Sequence, residues 1–179
     1  MNINHELYKD YTNMKWVLDD WSIPKECFDK IVEILPFGSK ILELGSGKAT
    51  DVMGQFYEMI SIETDELWLD KYNSTYLHVP FDEDYKWYDV NILKQKLENQ
   101  TYDLFLIDGP KGFRSKIINH LELFNNDVPW IFDDTMAEEH FNTMKTCAEK
   151  LNMEYETYQC KVNPKAVYWK QGKKYSLLF

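Results

Sequence analysis

Cysteine is scarce in this sequence of 179 residues, which contains only three. Cys27, Cys147 and Cys160 lie far apart and form no Cys-x-x-Cys pair. An odd number of widely spaced cysteines indicates neither a disulfide framework nor a zinc site. We therefore expect three reduced thiols in the core.

Long hydrophobic runs and basic clusters are also missing. No window approaches the length that spans a membrane, and residues 1–6 contain no basic segment followed by an apolar run. Acidic residues outnumber Lys and Arg by 30 to 20, which gives a formal net charge of -10. An acidic surface repels phosphates. We expect a cytoplasmic protein that binds neither membranes nor nucleic acid.

The composition that remains is that of a folded domain. Hydrophobic residues make up 44% of the chain and aromatic residues 16%, which is ample for a packed core. The length allows one full domain and no second one of ordinary size. We predict a single domain over 1–179, with an N-terminal helical cap over 1–37 and an α/β core over 38–179.

Strand and helix patterns alternate from residue 40 onward. Two predicted strands, 40–44 and 104–107, are almost continuously apolar, as strands covered on both faces should be. Such alternation predicts a three-layer αβα sandwich, Rossmann-like, with a mostly parallel seven-stranded sheet and an antiparallel C-terminal hairpin. The predicted strands are 40–44, 58–63, 75–79, 102–107, 128–132, 153–160 and 165–178; the predicted helices are 50–56, 65–71, 91–98, 113–124 and 136–150.

A glycine turn follows the first of these strands. Gly45 and Gly47 stand where the strand would pass into a helix, and the carboxylate of Glu43 lies at the mouth of the turn. Glycine is needed where the backbone takes positive φ or approaches a ligand closely, so the segment predicts a nucleotide-type cofactor loop. A dinucleotide fingerprint would place Gly or Ala at position 50, where this chain has Thr50.

A second acidic residue, Glu63, ends the strand predicted over 58–63. This is about the distance at which a βαβ unit places the acceptor for ribose hydroxyls, and a carboxylate can accept hydrogen bonds from both of them. The alternative is that Glu63 caps a helix beginning near Asp65. The glycine turn upstream favours the ribose role.

Three more carboxylates end two later strands. Asp108 follows the strand predicted over 102–107, and Asp133 and Asp134 follow the strand predicted over 128–132. Such crowding costs repulsion unless a cation neutralises it, and oxygen ligands suit a hard ion such as Mg²⁺. Two alternatives remain: Asp133 or Asp134 caps the helix that starts near Met136, or Asp108 simply begins a turn.

The Glu-x-Gly-x-Gly-x-Ala pattern beginning at Glu43 resembles the first motif of class I S-adenosylmethionine-dependent methyltransferases. The resemblance implies that Glu43 faces the methionine ammonium. It further implies that the cofactor is contacted by the residues of the glycine turn, by the second acid and by later loops, namely Gly45, Ser46, Gly47, Glu63, Tyr88, Asp89 and Asp108. Tyr88 and Asp89 fall where the family contacts adenine.

The carboxylates after the fourth and fifth strands resemble the metal motif of magnesium-dependent O-methyltransferases of the catechol and macrocin types. That resemblance implies Mg²⁺ ligands at Asp108, Asp133 and Asp134. It also implies a general base at Lys111, three positions after Asp108. Metal coordination of a substrate hydroxyl would lower its pKa and orient it toward the methyl group.

The predicted function is therefore S-adenosylmethionine-dependent methyl transfer to a hydroxyl of a small molecule or sugar, with Asp108 and Lys111 as catalytic residues. Two rivals stay open. One is a NAD(P)-binding oxidoreductase, which Thr50 and the terminal hairpin disfavour, and the other is a non-catalytic methyltransferase-like binding domain. The sequence leaves the oligomeric state undetermined.

Overall fold

The computed structural model describes residues 5–14, 16, 22–161 and 172–179. Two helices precede the sheet, α1 (His5–Asn13) and α2 (Lys25–Ile34). Pro24, whose fixed φ suits a helix start, immediately precedes α2. The apolar spacing of Cys27, Phe28 and Ile31 places these side chains on one buried face of α2.

The elements that follow in chain order are mostly strands, separated by helices and tight turns. They are β1 (Lys40–Leu44), α3 (Lys48–Met53), β2 (Glu58–Glu63), β3 (Thr75–His78), β4 (Phe81–Asp82), β5 (Trp87–Tyr88), α4 (Val90–Leu97), β6 (Leu104–Ile107), β7 (Trp130–Phe132), α5 (Glu138–Leu151), β8 (Tyr155–Gln159) and β9 (Lys174–Leu178). Three short 3-10 helices cover Glu66–Trp68, Arg114–Asn119 and Leu121–Leu123.

Seven strands form one sheet in the order β3-β2-β1-β6-β7-β9-β8. The first five of these pair in parallel, whereas β9 is antiparallel to both β7 and β8. Each parallel strand is joined to the next by a crossover, as the alternating pattern predicts. The predicted mostly parallel seven-stranded sheet with an antiparallel C-terminal end is confirmed.

Helices cover both faces of the sheet, because successive side chains of each strand point to opposite sides. On one face Ile41 packs with α2 and α3, and on the other Leu42 and Leu44 pack with α4, α5 and the 3-10 turns. The predicted three-layer α/β arrangement is therefore confirmed. All three cysteines are free and buried, as expected.

Several predicted boundaries differ from the observed ones. The segment 113–124 forms 3-10 helices rather than one α-helix, and only Glu66–Trp68 is helical within 65–71. A short hairpin of β4 and β5 was not predicted, because two-residue strands leave no periodic pattern. Part of the predicted strand 165–178 lies outside the described residues. Within the described part of the chain, no helix is both long and apolar enough to cross a membrane.

Candidate active site

The candidate site lies at the carboxyl ends of β1, β2, β6 and β7. The strand order reverses at β1, whose neighbours β2 and β6 lead the chain in opposite directions across the sheet. In open α/β sheets, the crevice at such a reversal is where ligands bind. The predicted site residues come from the loops that leave these four strands.

The glycine turn after β1 is held against the loop that follows β6. Gly45 has a φ of 85°, in the left-handed region that favours glycine, and its amide donates to Ile62 O at 2.9 Å. Gly109 N donates to Leu44 O at 2.7 Å. A Cβ at Gly109 would lie 3.0 Å from that same oxygen, so the two loops require glycine there to approach this closely.

Gly47 is different, because no protein atom requires glycine at this position. Its φ of -168° is extended backbone that any residue adopts. A Cβ at this position would meet no atom within 4 Å. The open space beside Gly47 is therefore room into which a ligand can approach the backbone.

Glu43 lies beneath this turn and is 4% exposed. Its carboxyl accepts hydrogen bonds from two neutral hydroxyls, Ser61 and Thr50. Thr50 in turn accepts from the Gly47 amide at 2.9 Å. The pKa of Glu43 is raised from 4.5 to about 8, chiefly by burial; hydrogen bonds from Ser61 and Thr50 oppose the rise, and the nearby carboxylates of Asp108 and Glu63 add to it. Glu43 is thus a buried acid at the head of the crevice whose hydrogen-bond partners, among the residues that the structure describes, are neutral.

Glu63 stands beside the glycine turn at the end of β2, as predicted. Its Oε2 accepts from the Ser46 hydroxyl at 2.9 Å, which joins the loops after β1 and β2. Its Oε1 accepts from the amides of Thr64 and Asp65. The first 3-10 turn is capped by Asp65, whose side chain accepts from Leu67 N at 2.9 Å. The role of Glu63 toward a ribose stays a prediction.

Tyr88 and Asp89 have structural roles that the sequence did not indicate. Tyr88 is 1% exposed and packs in the core against Trp87, so its ring presents no open face for stacking. Asp89 caps α4, because its Oδ1 accepts from the amides of Asn91 and Ile92 at 2.9 and 3.0 Å. Contact of either residue with adenine stays a prediction.

The fold brings Asp108, Asp133 and Asp134 together, and one oxygen from each lies within 4.8 Å of the others. Asp134 has a φ of 57°, a conformation that Asp tolerates better than most residues. Neither Asp133 nor Asp134 caps α5, which is preceded by Ala137 and has no side-chain cap. The helix-cap alternative for these two residues is therefore wrong.

Arg114 and Lys173 form ion pairs with this cluster. The sequence-based prediction included neither residue. Lys173 Nζ lies 2.7 Å from Asp133 Oδ2 and 3.0 Å from Asp134 Oδ1. Arg114 Nη2 lies 3.3 Å from Asp108 Oδ1 and 4.0 Å from Asp134 Oδ2. The repulsion that led us to expect a metal is already relieved by the protein itself.

These residues do not fit a resident magnesium ion. Oxygen ligands of Mg²⁺ stand about 2.1 Å from the metal with near-octahedral geometry and room for several waters. Here Asp133 is 0% exposed and a lysine ammonium lies between its carboxylate and that of Asp134. The charges and the burial of the residues present therefore disfavour Mg²⁺ at Asp108, Asp133 and Asp134.

The electrostatics of the cluster follow from burial and from these ion pairs. The pKa of Asp108 is raised to about 6, chiefly by burial and also by Asp133, while Arg114 and Lys173 oppose the rise. Burial also raises the pKa of Asp133 and of Asp134, against the opposing effect of Lys173. Burial lowers the pKa of Lys173, but the three carboxylates outweigh it and the net shift is upward. Lys173 is therefore a permanent cation.

Lys111 lies on the loop after β6, and His140 contacts the cluster from α5. Lys111 is exposed on the turn after Pro110, and its role as a base stays a prediction. His140 Nδ1 lies 3.4 Å from Arg114 Nη1 and 3.3 Å from Asp134 O. Burial lowers the pKa of His140, and Arg114 lowers it further, which favours the neutral ring. Phe81 of β4 and Phe113 of the loop after β6 form an aromatic pair, and Phe113 directly precedes Arg114 in the sequence.

Solved structures with the same architecture carry the names of methyltransferases. The human methyltransferase 10 domain containing protein aligns with a TM-score of 0.60 and 10% identity over 98% of this chain and 91% of its own. A methyltransferase from Pyrococcus furiosus gives 0.59 and 14% over 97% and 95%. Precorrin-6y C5,15-methyltransferase from Geobacter metallireducens gives 0.59 and 12% over 91% and 93%.

This chain therefore has the Rossmann-like fold of these methyltransferases. At such low identity the likeness defines the fold alone. No family model and no curated protein matches the sequence.

Proposed function

We propose that this protein is an S-adenosylmethionine-dependent methyltransferase. The observation that carries the proposal is Glu43, a buried carboxyl beneath a glycine turn at the strand-order reversal, whose hydrogen-bond partners among the described residues are neutral hydroxyls. The ammonium of a methionine moiety would supply the missing positive charge. S-adenosylmethionine, when bound, supplies a methyl group on a positively charged sulfur.

The residues of the crevice suit that cofactor. Glu43 would hold the ammonium, and the open side of Gly47 would admit the amino-acid portion. Glu63 would accept hydrogen bonds from the ribose hydroxyls. These would replace the hydrogen bond that Glu63 accepts from the Ser46 hydroxyl in the structure. Asp108 would face the cofactor from the end of β6.

The same geometry disfavours a dinucleotide. A pyrophosphate binds to free amides at a helix N-terminus. Here the Gly47 amide already donates to the Thr50 hydroxyl, so it is not free for a phosphate oxygen. Thr50 stands where the dinucleotide fingerprint has Gly or Ala, and its hydroxyl thus takes up an amide that a pyrophosphate would use.

For the acceptor, we propose the hydroxyl of a small molecule or sugar, positioned by Asp108. Its side chain is 33% exposed, more than that of Asp134 at 15% or Asp133 at 0%. A carboxylate with a pKa of about 6 is ionised at neutral pH and can accept a proton from the acceptor as the methyl group transfers. Lys111 remains a second candidate for this role.

Calorimetric titration tests the cofactor assignment. We expect S-adenosylhomocysteine to bind with a stoichiometry of one and NAD to give no heat. Binding of NAD in preference would support an oxidoreductase and contradict the proposal. Methyl transfer from labelled cofactor to panels of alcohols, sugars and amines would then identify the acceptor. Normal cofactor affinity with no transfer to any acceptor would favour a non-catalytic binding domain.

A further inference from the structure

Lys173 connects three separate parts of the chain. It precedes β9, yet its ammonium donates to Ser22 O at 2.9 Å and to Asp133 Oδ2 at 2.7 Å. It also forms the 3.0 Å ion pair with Asp134 Oδ1, and its side chain is 9% exposed. A lysine buried to this degree without paired carboxylates would be strongly destabilising, so its contacts define its position.

Arg114 completes the arrangement from the opposite side. Its Nη1 donates to Asp133 O at 2.7 Å, and its Nη2 donates to Asp108 O. The guanidinium therefore fastens the backbone at the ends of both β6 and β7, while its charge faces Asp108 and Asp134. With all groups ionised, three carboxylates meet two cations.

We propose that Lys173 and Arg114 occupy the place of a divalent cation in this site. Lys173 acts as a positioning residue that draws Asp133 and Asp134 together and excludes metal ions. The cluster is accordingly metal-free in the working protein. This role does not depend on the proposed cofactor, because it follows from contacts among residues of the chain itself.

The inference predicts that removing one cation creates a metal site. In Lys173→Met the three carboxylates would keep their places on the strand ends but would lose the ammonium between Asp133 and Asp134. A divalent ion would then be attracted instead of repelled. We expect the affinity for Mn²⁺ to rise by about 100-fold or more, since a nearby positive charge strongly opposes a divalent ion.

The test is a Mn²⁺ titration followed by electron paramagnetic resonance, in which only free aqueous Mn²⁺ gives a strong signal. Wild type should leave the ion free, whereas Lys173→Met should bind one ion per chain. Lys173→Arg keeps the charge and should remain metal-free. Lys174→Met removes a lysine at the next position and is the matched control. Adding Asp134→Asn to Lys173→Met should abolish the new binding.

Two outcomes would overturn the inference. One is stoichiometric Mn²⁺ binding by wild type that Mg²⁺ displaces, and this result needs no variant. The other is a folded Lys173→Met protein with no gain in Mn²⁺ affinity. If circular dichroism shows that Lys173→Met does not fold, Lys173→Gln, which keeps a donor for the Ser22 carbonyl, takes its place. S-adenosylhomocysteine binding, measured on the same samples, reports separately on the proposed function.

Discussion

Replacing Glu43 by Gln should make the protein more stable at neutral pH and at the same time weaken cofactor binding. The buried carboxyl has a pKa of about 8 in the folded chain and 4.5 as its reference value. At pH 7 the group is thus ionised in the unfolded chain and protonated in the folded one. Taking up this proton costs about 3 kcal/mol of stability.

The sign of the pH dependence follows directly. Because the folded pKa is raised, the wild-type contribution is fully present below 4.5 and is lost as the pH rises through 8. Gln has the same shape, does not titrate, and can accept from Ser61 as the acid does. The advantage of Glu43→Gln should therefore be near zero at about pH 4.5 and about 3 kcal/mol at pH 7.

Urea denaturation across this pH range measures the difference in midpoint. In parallel, calorimetry should show S-adenosylhomocysteine affinity reduced about 100-fold in Glu43→Gln, because a charged hydrogen bond to the ammonium is lost. In wild type, affinity should rise as the pH approaches 8, where Glu43 ionises. Glu58→Gln, at an exposed carboxyl at the start of β2, is the control for both measurements. Equal stability of Glu43→Gln and wild type at every pH would refute the reasoning, as would unchanged affinity.

Three further changes test other parts of the site. Gly109→Ala should lower the free energy of unfolding by about 1 to 3 kcal/mol, because the new Cβ would press on Leu44 O at 3.0 Å; an unchanged melting temperature would contradict this contact. Asp89→Ala should lower the free energy of unfolding by about 1 kcal/mol through loss of the α4 cap and leave S-adenosylhomocysteine affinity intact. A large loss of affinity would instead support the predicted contact with adenine. Glu63→Gln should weaken S-adenosylhomocysteine binding about 10-fold in calorimetry, with Asp65→Asn as the control; equal affinities would remove the ribose role.

The sheet could be predicted because its strands carry their own signal. The predicted bounds of β1 and β2 coincide with the observed Lys40–Leu44 and Glu58–Glu63, since both strands are apolar runs bounded by turns. Positions 113–124 have helical spacing, but the loop there is drawn toward the strand ends by Arg114 and forms tighter 3-10 turns. Such local detail depends on tertiary contacts that periodicity does not encode.

The sequence predicted that acidic residues at the strand ends lie together, but it did not predict the cations that pair with them. The positions of Asp108 and Asp133 follow from strand periodicity and the rule that carboxyl ends share one edge. Lys173, by contrast, is one of two consecutive lysines, and its partner Ser22 lies 151 positions away in the sequence. No local pattern distinguishes a lysine that will be buried from one that will be solvated. The magnesium prediction counted the carboxylates without the cations that pair with them.

The buried carboxyl groups of Asp133 and Glu43 differ in the charge of their partners, and this difference favours a cationic ligand beside Glu43. At the ends of β6 and β7, Asp133 is compensated by Lys173 at 2.7 Å, so this cluster has little need of an added cation. At the end of β1, Glu43 is equally enclosed, but its hydrogen-bond partners Ser61 and Thr50 are neutral. Among the described residues, Asp133 thus has a cationic partner and Glu43 has neutral ones, so Glu43 is the carboxyl at which a cationic ligand would be most favourable. A cofactor that carries an ammonium and a positively charged sulfur, as a methyl donor of this kind does, would supply such a charge. Asp108 follows β6, which lies between β1 with Glu43 and β7 with Asp133.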